Sequence, residues 1–191
     1  MELIGSNTSP FVRRTRLLLA GLPYTYTQLD IYAEGRSTLA TQTPIMKIPV
    51  LIDNEQPIYD SRVIARYLQQ IHGIGEPLSW EEENRMTIID AVLDSLVMLL
   101  LSQRSGLDTS TEVMIYRLQR ERIKSSLATL EHEVLEGNFR LWRYPAICLY
   151  TLIDWADFRE LINLRDYPIL KGFRDEHAKR EEVIATDPRW G

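Results

Sequence analysis

The first 75 residues alternate between short apolar stretches and amphipathic ones. Residues 2–5 are apolar enough for a strand, and residues 10–20 repeat apolar positions at helical spacing. The predicted elements, in chain order, are a strand over 2–5, a helix over 10–20, an alternating strand over 24–30, a short helix near 33–40, two strands around Val50 and Ile58, and a helix that begins at Ser61. This βαβ-α-ββα order predicts a small α/β domain over residues 1–75.

Beyond a break at residues 72–78, which hold two glycines and a proline, the pattern is helical throughout. One helical face runs from Ile88 to Leu100 and a second from Val113 to Val134, and shorter helices are predicted over 145–158 and 168–179. We therefore predict an all-helical domain over residues 79–191. The longest apolar run, Leu96 to Leu101, is too short to cross a bilayer, so no membrane association is expected.

Composition excludes several kinds of chemistry. The chain has 191 residues and a net charge of −5, which offers no basic surface for nucleic acid. Cys148 is the single cysteine and lies in an apolar helical stretch, so we expect a buried thiol and no disulfide or thiolate metal cluster. The three histidines are scattered without ligand spacing, and no metal site is predicted. Because the N-terminus lacks the features of a signal peptide, we expect a cytoplasmic protein.

Two features near residue 50 suggest a peptide-like ligand. Pro49 precedes the strand-like run from Val50 to Ile52, a position where proline is tolerated and can take the cis form. A cis proline leaves the backbone of Ile48 able to pair with an extended ligand. Asp60 and Ser61 then open an amphipathic helix, and the N–H groups of a helix start suit a carboxylate.

Three segments together closely resemble the cytosolic glutathione transferase superfamily. They are the segment from Ser9 to Arg16, the segment from Met46 to Leu51, and the pair Asp60-Ser61. Members of that family have a thioredoxin-like N-terminal domain with a catalytic Ser, Cys or Tyr near the first helix, a cis proline before the third strand, and a Glu/Asp-Ser pair opening the third helix. The resemblance implies a thioredoxin-like domain followed by an all-helical domain, with glutathione as co-substrate and no other cofactor.

Ser9 has two compatible interpretations. A serine before a proline is a standard helix cap, and the resemblance implies that its hydroxyl also donates to the sulfur of glutathione. Lowering a thiol pKa by two units from about 8.5 requires about 2.7 kcal/mol. A hydrogen bond to a charged sulfur supplies about 1.5–3 kcal/mol, and a helix N-terminus adds about 0.3–1 kcal/mol. Arg13 and Arg14 could add a positive field, although arginines in such positions are more often solvated on the surface.

The resemblance also assigns the remaining contacts with glutathione. The backbone of Ile48 would pair with the cysteinyl part, and Pro49 would hold the turn. Asp60 would meet the γ-glutamyl ammonium and Ser61 the γ-glutamyl carboxylate. Lys47 would reach the glycyl carboxylate, although a solvated lysine explains that residue equally well.

The second substrate is not identifiable from the sequence. In the family a hydrophobic electrophile binds between the two domains, which makes Phe11, Leu101 and Arg104 candidates for its pocket. Three functions remain open: transfer of glutathione to an electrophile, a glutathione-dependent peroxidase or reductase activity, and a non-catalytic protein-binding role. A serine in place of a cysteine disfavours the reductase, and the three intact motifs disfavour the non-catalytic role.

The resemblance further implies a two-fold symmetric homodimer. The family's dimer interface brings together the third and fourth helices, which here carry Arg62 and Arg66 on one and Asp90 and Asp94 on the other. Pairing across an interface and simple solvation explain these four charges about equally well. The consecutive apolar residues from Met98 to Leu101 also indicate that part of the long helix faces another element.

One departure from the family concerns its sixth helix. That helix usually begins with a Ser/Thr-x-x-Asp capping box, and the corresponding positions here, Arg143 to Ala146, lack both residues. Pro145 is expected at the first helical position, where it partly compensates. Thr151 and Asp154 have the right spacing for a capping box but are predicted to lie inside the helix.

Overall fold

The structure, a computed structural model, describes residues 1–190 and divides into two compact units. The first unit comprises residues 1–77 together with the segment that begins at Ala178, and the second runs from Leu78 to His177. The sequence predicts a helical domain over residues 79–191, whereas in the structure the segment that begins at Ala178 packs within the first unit.

The first unit is built on one four-stranded sheet. Its elements are β1 (Glu2–Gly5), α1 (Pro10–Leu18), β2 (Thr25–Gln28), α2 (Gly35–Gln42), β3 (Val50–Asp53), β4 (Gln56–Tyr59), α3 (Ser61–His72) and, near the C-terminus, α8 (Glu181–Ala185). The strand order is β2-β1-β3-β4, in which β1 and β2 are parallel and the other two pairs are antiparallel. The predicted βαβ-α-ββα order is confirmed, and the five-residue helix α8 was not predicted.

Alternating side chains of the strands fill two cores, one on each face of the sheet. Leu3 and Leu51 are opposite one another in the register and pack in one cluster with side chains of α1 and α3. Ile4 and Val50, the next pair, pack in a second cluster with Leu39 of α2. This period of two fixes the β1–β3 register, because a slip of one residue would turn every apolar side chain to the wrong face.

The second unit is helical, as predicted. It contains α4 (Trp80–Arg104), α5 (Met114–Leu135), α6 (Tyr144–Phe158), a short 3₁₀ turn (Leu164–Asp166) and α7 (Pro168–His177). The helix α6 is buried from Tyr144 to Ala156, so it forms the centre of this unit, and α4 and α7 both pack against it. Cys148 is fully buried there, as the sequence predicts.

The start of α6 lacks a side-chain cap, as the sequence predicts. Arg143 occupies the N-cap position and Pro145 the second helical position rather than the first, while Thr151 and Asp154 lie buried inside the helix. The side chain of Arg143 forms an ion pair with Glu82. Because Glu82 also closes the capping box of α4 with Ser79, one carboxylate ties together the starts of two helices.

Among residues 1–190, α4 is the one helix long and apolar enough to cross a membrane by length and composition. The unbroken apolar run from Leu96 to Leu101 is too short to predict this, because polar residues separate the other apolar positions of α4. Core helices of soluble proteins meet the same criterion. In the second unit, Ile89, Leu93 and Leu96 of α4 are buried while α4 packs against α5 and α6.

Candidate functional site

Ser9 stands at the start of α1 and caps it. Its backbone is extended and its Oγ accepts a hydrogen bond from the N–H of Val12 at 3.3 Å. In the described part of the chain, the hydroxyl hydrogen has no protein acceptor, and the side chain is half-buried. The predicted cap is therefore confirmed, and a donor remains at a helix N-terminus, where a developing negative charge is favoured.

The approach to β3 contains the cis peptide bond between Ile48 and Pro49. The Ile48 side chain contacts both cores of the first unit. Its backbone N–H and C=O make no hydrogen bond to turns, loops or caps within residues 1–190. Lys47, immediately before, is exposed. Ile48 thus combines a side chain that fills the core with backbone groups suited to an extended ligand.

Asp60 has an unusual backbone conformation at the start of α3, with φ of 69° and ψ of 130°. Its Oδ1 accepts from the N–H groups of Arg62 at 2.8 Å and Val63 at 3.4 Å, so the carboxylate caps the helix. No hydrogen bond or ion pair of Oδ2 is found within residues 1–190. Asp60 itself is exposed, which leaves this second oxygen accessible to a cationic ligand.

Arg14, in the middle of α1, links this helix to the start of α3. Its Nε donates to the hydroxyl of Ser61 at 2.9 Å, and its NH2 group donates to the same oxygen. Arg14 and Ser61 are buried, at 1% and 2% exposure, and the guanidinium lies 4.9 Å from the centre of the Phe11 ring. The contact joins the middle of α1, the helix that Ser9 caps, to the start of α3, the helix that Asp60 caps.

The expectation that Arg13 and Arg14 are solvated is therefore wrong. Arg13 is also buried. Its guanidinium donates to the carbonyl of Val183 at 3.1 Å and to the hydroxyl of Thr186 at 3.4 Å. A buried guanidinium is tolerated where its N–H groups find acceptors. Helical spacing from Pro10 to Arg14 and then Leu17 places Arg14 on the buried stripe of α1, and this signal was available in the sequence.

The candidate electrophile residues belong to different units. Phe11 is half-buried in the first unit, whereas Leu101 and Arg104 are exposed near the end of α4 in the second. Their common pocket stays a prediction.

A second polar group lies at the end of β3, away from the Pro49 approach. The carboxylate of Asp53 accepts from the hydroxyl of Tyr67 at 3.0 Å and lies 2.6 Å from the His72 Nε2. The hydrogen bond with His72 is the main reason why the pKa of the buried Asp53 carboxyl lies below its usual value. Asp53 thereby fastens the C-terminal part of α3 to the sheet.

Comparison with known proteins shows which family this chain resembles. Residues 3–78 match the family model described as glutathione S-transferase, N-terminal domain. The uncharacterized GST-like protein YibF of Escherichia coli K12 is 26% identical over 98% of both chains. Glutathione S-transferase U8 of Arabidopsis thaliana is 38% identical over 72 residues, which are 36% of this chain and 32% of that protein.

Solved structures match along nearly the whole chain. A glutathione transferase family member from Pseudomonas fluorescens Pf-5, with bound glutathione, is 28% identical with a TM-score of 0.81 over 98% of both chains. A glutathione S-transferase from Methylobacillus flagellatus KT, with glutathione bound, shares the fold at a TM-score of 0.85 and 22% identity, also over 98% of both chains. These matches together support the cytosolic glutathione transferase superfamily, and the chain has the fold of that superfamily.

Proposed function

We propose that the protein is a cytoplasmic glutathione transferase in which Ser9 activates the thiol of glutathione for addition to a small hydrophobic electrophile. Glutathione is the co-substrate and no further cofactor takes part. The observation that carries the proposal is the Arg14–Ser61 contact, because it joins the helix that Ser9 caps to the start of the helix at the candidate γ-glutamyl site. The match of residues 3–78 to the glutathione S-transferase N-terminal domain and the glutathione-bound similar structure support the ligand.

Each part of glutathione has a matching group in the first unit. The backbone N–H of Ser61, the first residue of α3, suits the γ-glutamyl carboxylate together with the positive field of the helix start, and Oδ2 of Asp60 suits the ammonium. The backbone of Ile48 would pair with the cysteinyl part in the manner of an added strand. The exposed Lys47 would then meet the glycyl carboxylate.

Ser9 would act on the sulfur. When bound glutathione loses its thiol proton to water, the Ser9 O–H donates to the thiolate, while the N-terminus of α1 adds a favourable field. The thiolate sulfur then adds to the electrophilic carbon of the second substrate, the π bond of that carbon breaks, and its electron pair takes up a proton from water. Ser9 itself forms no covalent bond and is unchanged at the end.

A reductase that works through an enzyme cysteine has no support in the structure. Such a route forms a mixed disulfide between glutathione and an accessible cysteine. Serine occupies the candidate position, and Cys148, the single cysteine of the sequence, is 0% exposed inside α6. A non-catalytic role would require neither the Ser9 donor nor the Asp60 cap in its present geometry.

The proposed homodimer would use α3 and α4. The exposed side chains include Arg66 on α3 and Asp94 on α4, together with the apolar Val63 and Met98. In an isologous contact, each pairing of these groups would occur twice, once from each protomer.

The test compares Ser9→Ala with Ser9→Thr. Removing a hydrogen bond to a charged sulfur costs about 1.5–3 kcal/mol, so Ser9→Ala should lower turnover by roughly ten- to one-hundredfold and raise the pKa of the bound thiol by about one to two units. Glutathione affinity should stay within a few-fold, and Ser9→Thr should recover much of the activity. Thiolate absorbance against pH and calorimetric titration measure the two quantities.

A control separates catalysis from loss of a helix cap. Ser79→Ala removes the cap of α4 at a comparable cost of about 1 kcal/mol, and its turnover should match that of wild type. An unchanged thiolate titration in Ser9→Ala would remove Ser9 from the mechanism. Failure of the wild-type protein to bind immobilised glutathione would overturn the proposal and favour the non-catalytic role.

A further inference from the structure

The turn that presents Ser9 is closed by its own backbone. Between β1 and α1, the N–H of Ser9 donates to the carbonyl of Ser6 at 3.1 Å, so Asn7 and Thr8 are the two central residues of the turn. Ser9 is both the last residue of this turn and the N-cap of α1. Any movement of the turn therefore moves the Ser9 hydroxyl.

The side chain of Asn7 fastens this turn to two other elements. Arg16 on α1 donates from NH1 to Oδ1 of Asn7 at 3.0 Å, and Nδ2 of Asn7 donates to Oε1 of Gln28 on β2 at 2.9 Å. The amide orientation follows from chemistry, because a guanidinium can only donate and must therefore face the oxygen. The turn is thus held from the helix on one side and from the edge strand on the other.

Arg16 is itself held in place by packing. Its guanidinium carbon lies 4.5 Å from the centre of the Tyr26 ring on β2, a cation–π contact. Within residues 1–190, the bond to Asn7 is the one hydrogen bond found for the Arg16 side chain. The Nε of Arg16 is buried and has no hydrogen-bond partner there. Burial of Tyr26 raises the pKa of its hydroxyl to about 12. The guanidinium is therefore a fixed donor rather than a mobile surface charge.

We propose that Asn7 and Arg16 are positioning residues that hold the Ser9 hydroxyl in the orientation needed to donate to the glutathione sulfur. This inference rests on the proposed function of Ser9. The two side chains act through the Ser6–Ser9 turn. The bridge of hydrogen bonds from Arg16 through Asn7 to Gln28 holds this turn at Asn7, two residues before Ser9. A hydrogen bond to a thiolate weakens steeply when its angle departs from linearity, so a loosened turn loses thiolate stabilisation without losing the hydroxyl.

This role predicts a particular pattern of effects for Asn7→Ala. The pKa of the bound thiol should rise by about half a unit to one unit, and kcat at neutral pH should fall about three- to tenfold. The KM for glutathione should stay within about twofold, because the groups at Ile48, Asp60 and Ser61 are unaltered. A purely structural role would lower the melting temperature and leave the thiol pKa unchanged.

Two further variants test the route through the turn. Asn7→Asp keeps an acceptor for Arg16 and should recover at least half of the lost turnover. Arg16→Lys keeps the positive charge on α1 but not the planar guanidinium, and should raise the thiol pKa in the same direction as Asn7→Ala. Combining Asn7→Ala with Arg16→Lys should add little to either change, because both break the same bridge.

The experiment measures thiolate absorbance against pH, kcat and KM for the folded variants, with glutathione as the probe. Asn138→Ala is the matched control, since it removes an asparagine side-chain bond to Glu133 in the second unit and should leave the thiol pKa unchanged. If the wild-type protein lowers the thiol pKa and the variants Asn7→Ala and Arg16→Lys lower it equally, the positioning role is wrong but the proposed function stands. A wild-type protein that binds glutathione without lowering the thiol pKa would overturn the proposed function and this inference with it.

Discussion

At the scale of single residues, Asp60 shows how one side chain stabilises an unfavourable backbone. A φ of 69° is rare for a residue other than glycine and costs of order 1–3 kcal/mol. The two hydrogen bonds from Arg62 and Val63 offset part of this cost by capping α3. Backbone strain of this kind clusters at ligand sites, and here it belongs to the residue proposed to meet the γ-glutamyl ammonium.

Asp60→Asn should separate the cap from the charge. Asparagine caps helices as well as aspartate and tolerates positive φ, so the free energy of unfolding should change by less than about 0.5 kcal/mol. The negative charge is lost, and glutathione affinity should fall on the order of tenfold, or about 1.4 kcal/mol. Calorimetric titration and urea unfolding measure the two effects. Wild-type affinity in Asp60→Asn would remove the ammonium contact.

At the scale of elements, the contact between Arg14 and Ser61 couples α1 to α3. Both groups are buried, so removing one leaves the other without that hydrogen-bond partner, at a cost of about 1–3 kcal/mol. Ser61→Ala and Arg14→Leu should each destabilise the first unit, and the double variant should be less destabilised than the sum of the two. We expect a coupling energy of about 1–2 kcal/mol from a double-mutant cycle in urea. Strict additivity would contradict a direct coupling of these helices.

The Asp53 carboxylate should make the attachment of α3 dependent on pH. Because its pKa is lowered in the folded protein, its stabilisation is complete above the unfolded-state pKa of about 4 and is lost as the pH falls through the folded-state value. Asp53→Asn should therefore reduce the free energy of unfolding most at neutral pH, and the difference from wild type should shrink toward pH 3. Urea unfolding across this range measures it, with Glu55→Gln in the adjoining turn as control. A difference that is constant with pH would contradict the charged interaction.

Most elements were predictable from periodicity, and the exceptions have physical reasons. The strands and the long helices each present a repeating apolar face, which is a local property of the sequence. The helix α8 has five residues, too few for a helical repeat to show. The substitute for the missing cap of α6 is an ion pair between residues 61 positions apart, Arg143 and Glu82, and no local pattern encodes such a contact.

The same limit applied within the candidate site. Ser9, Pro49 and Asp60 stand in short motifs, so the sequence alone indicated them. Helical spacing places Arg14 on the buried stripe of α1, but its partner Ser61 lies 47 positions further along, and no local pattern encodes that contact. The bridge through Asn7 likewise needed the fold, because it joins a turn to β2.

At the scale of the whole molecule, the homodimer is the main prediction. Light scattering at micromolar concentration should give twice the monomer mass of 22.3 kDa. If Arg66 pairs across the interface, Arg66→Glu should weaken the dimer, whereas Arg36→Glu, a charge reversal on α2, should not. A monomer mass for the wild-type protein would refute the dimer. A dimer that is unaffected by Arg66→Glu would refute only the charge pairing.

The return of the chain to the first unit at Ala178 has a consequence for biosynthesis. Residues 78–177 form one contiguous unit, whose whole sequence leaves the ribosome before the first unit is complete. Arg13, one turn into the proposed catalytic helix, binds the carbonyl of Val183, which is translated 170 residues later. Because synthesis adds about 5–20 residues per second, Val183 is made roughly 10–35 seconds after Arg13. The helix that carries Ser9 therefore reaches its final environment only when synthesis of residues 178–190 is finished.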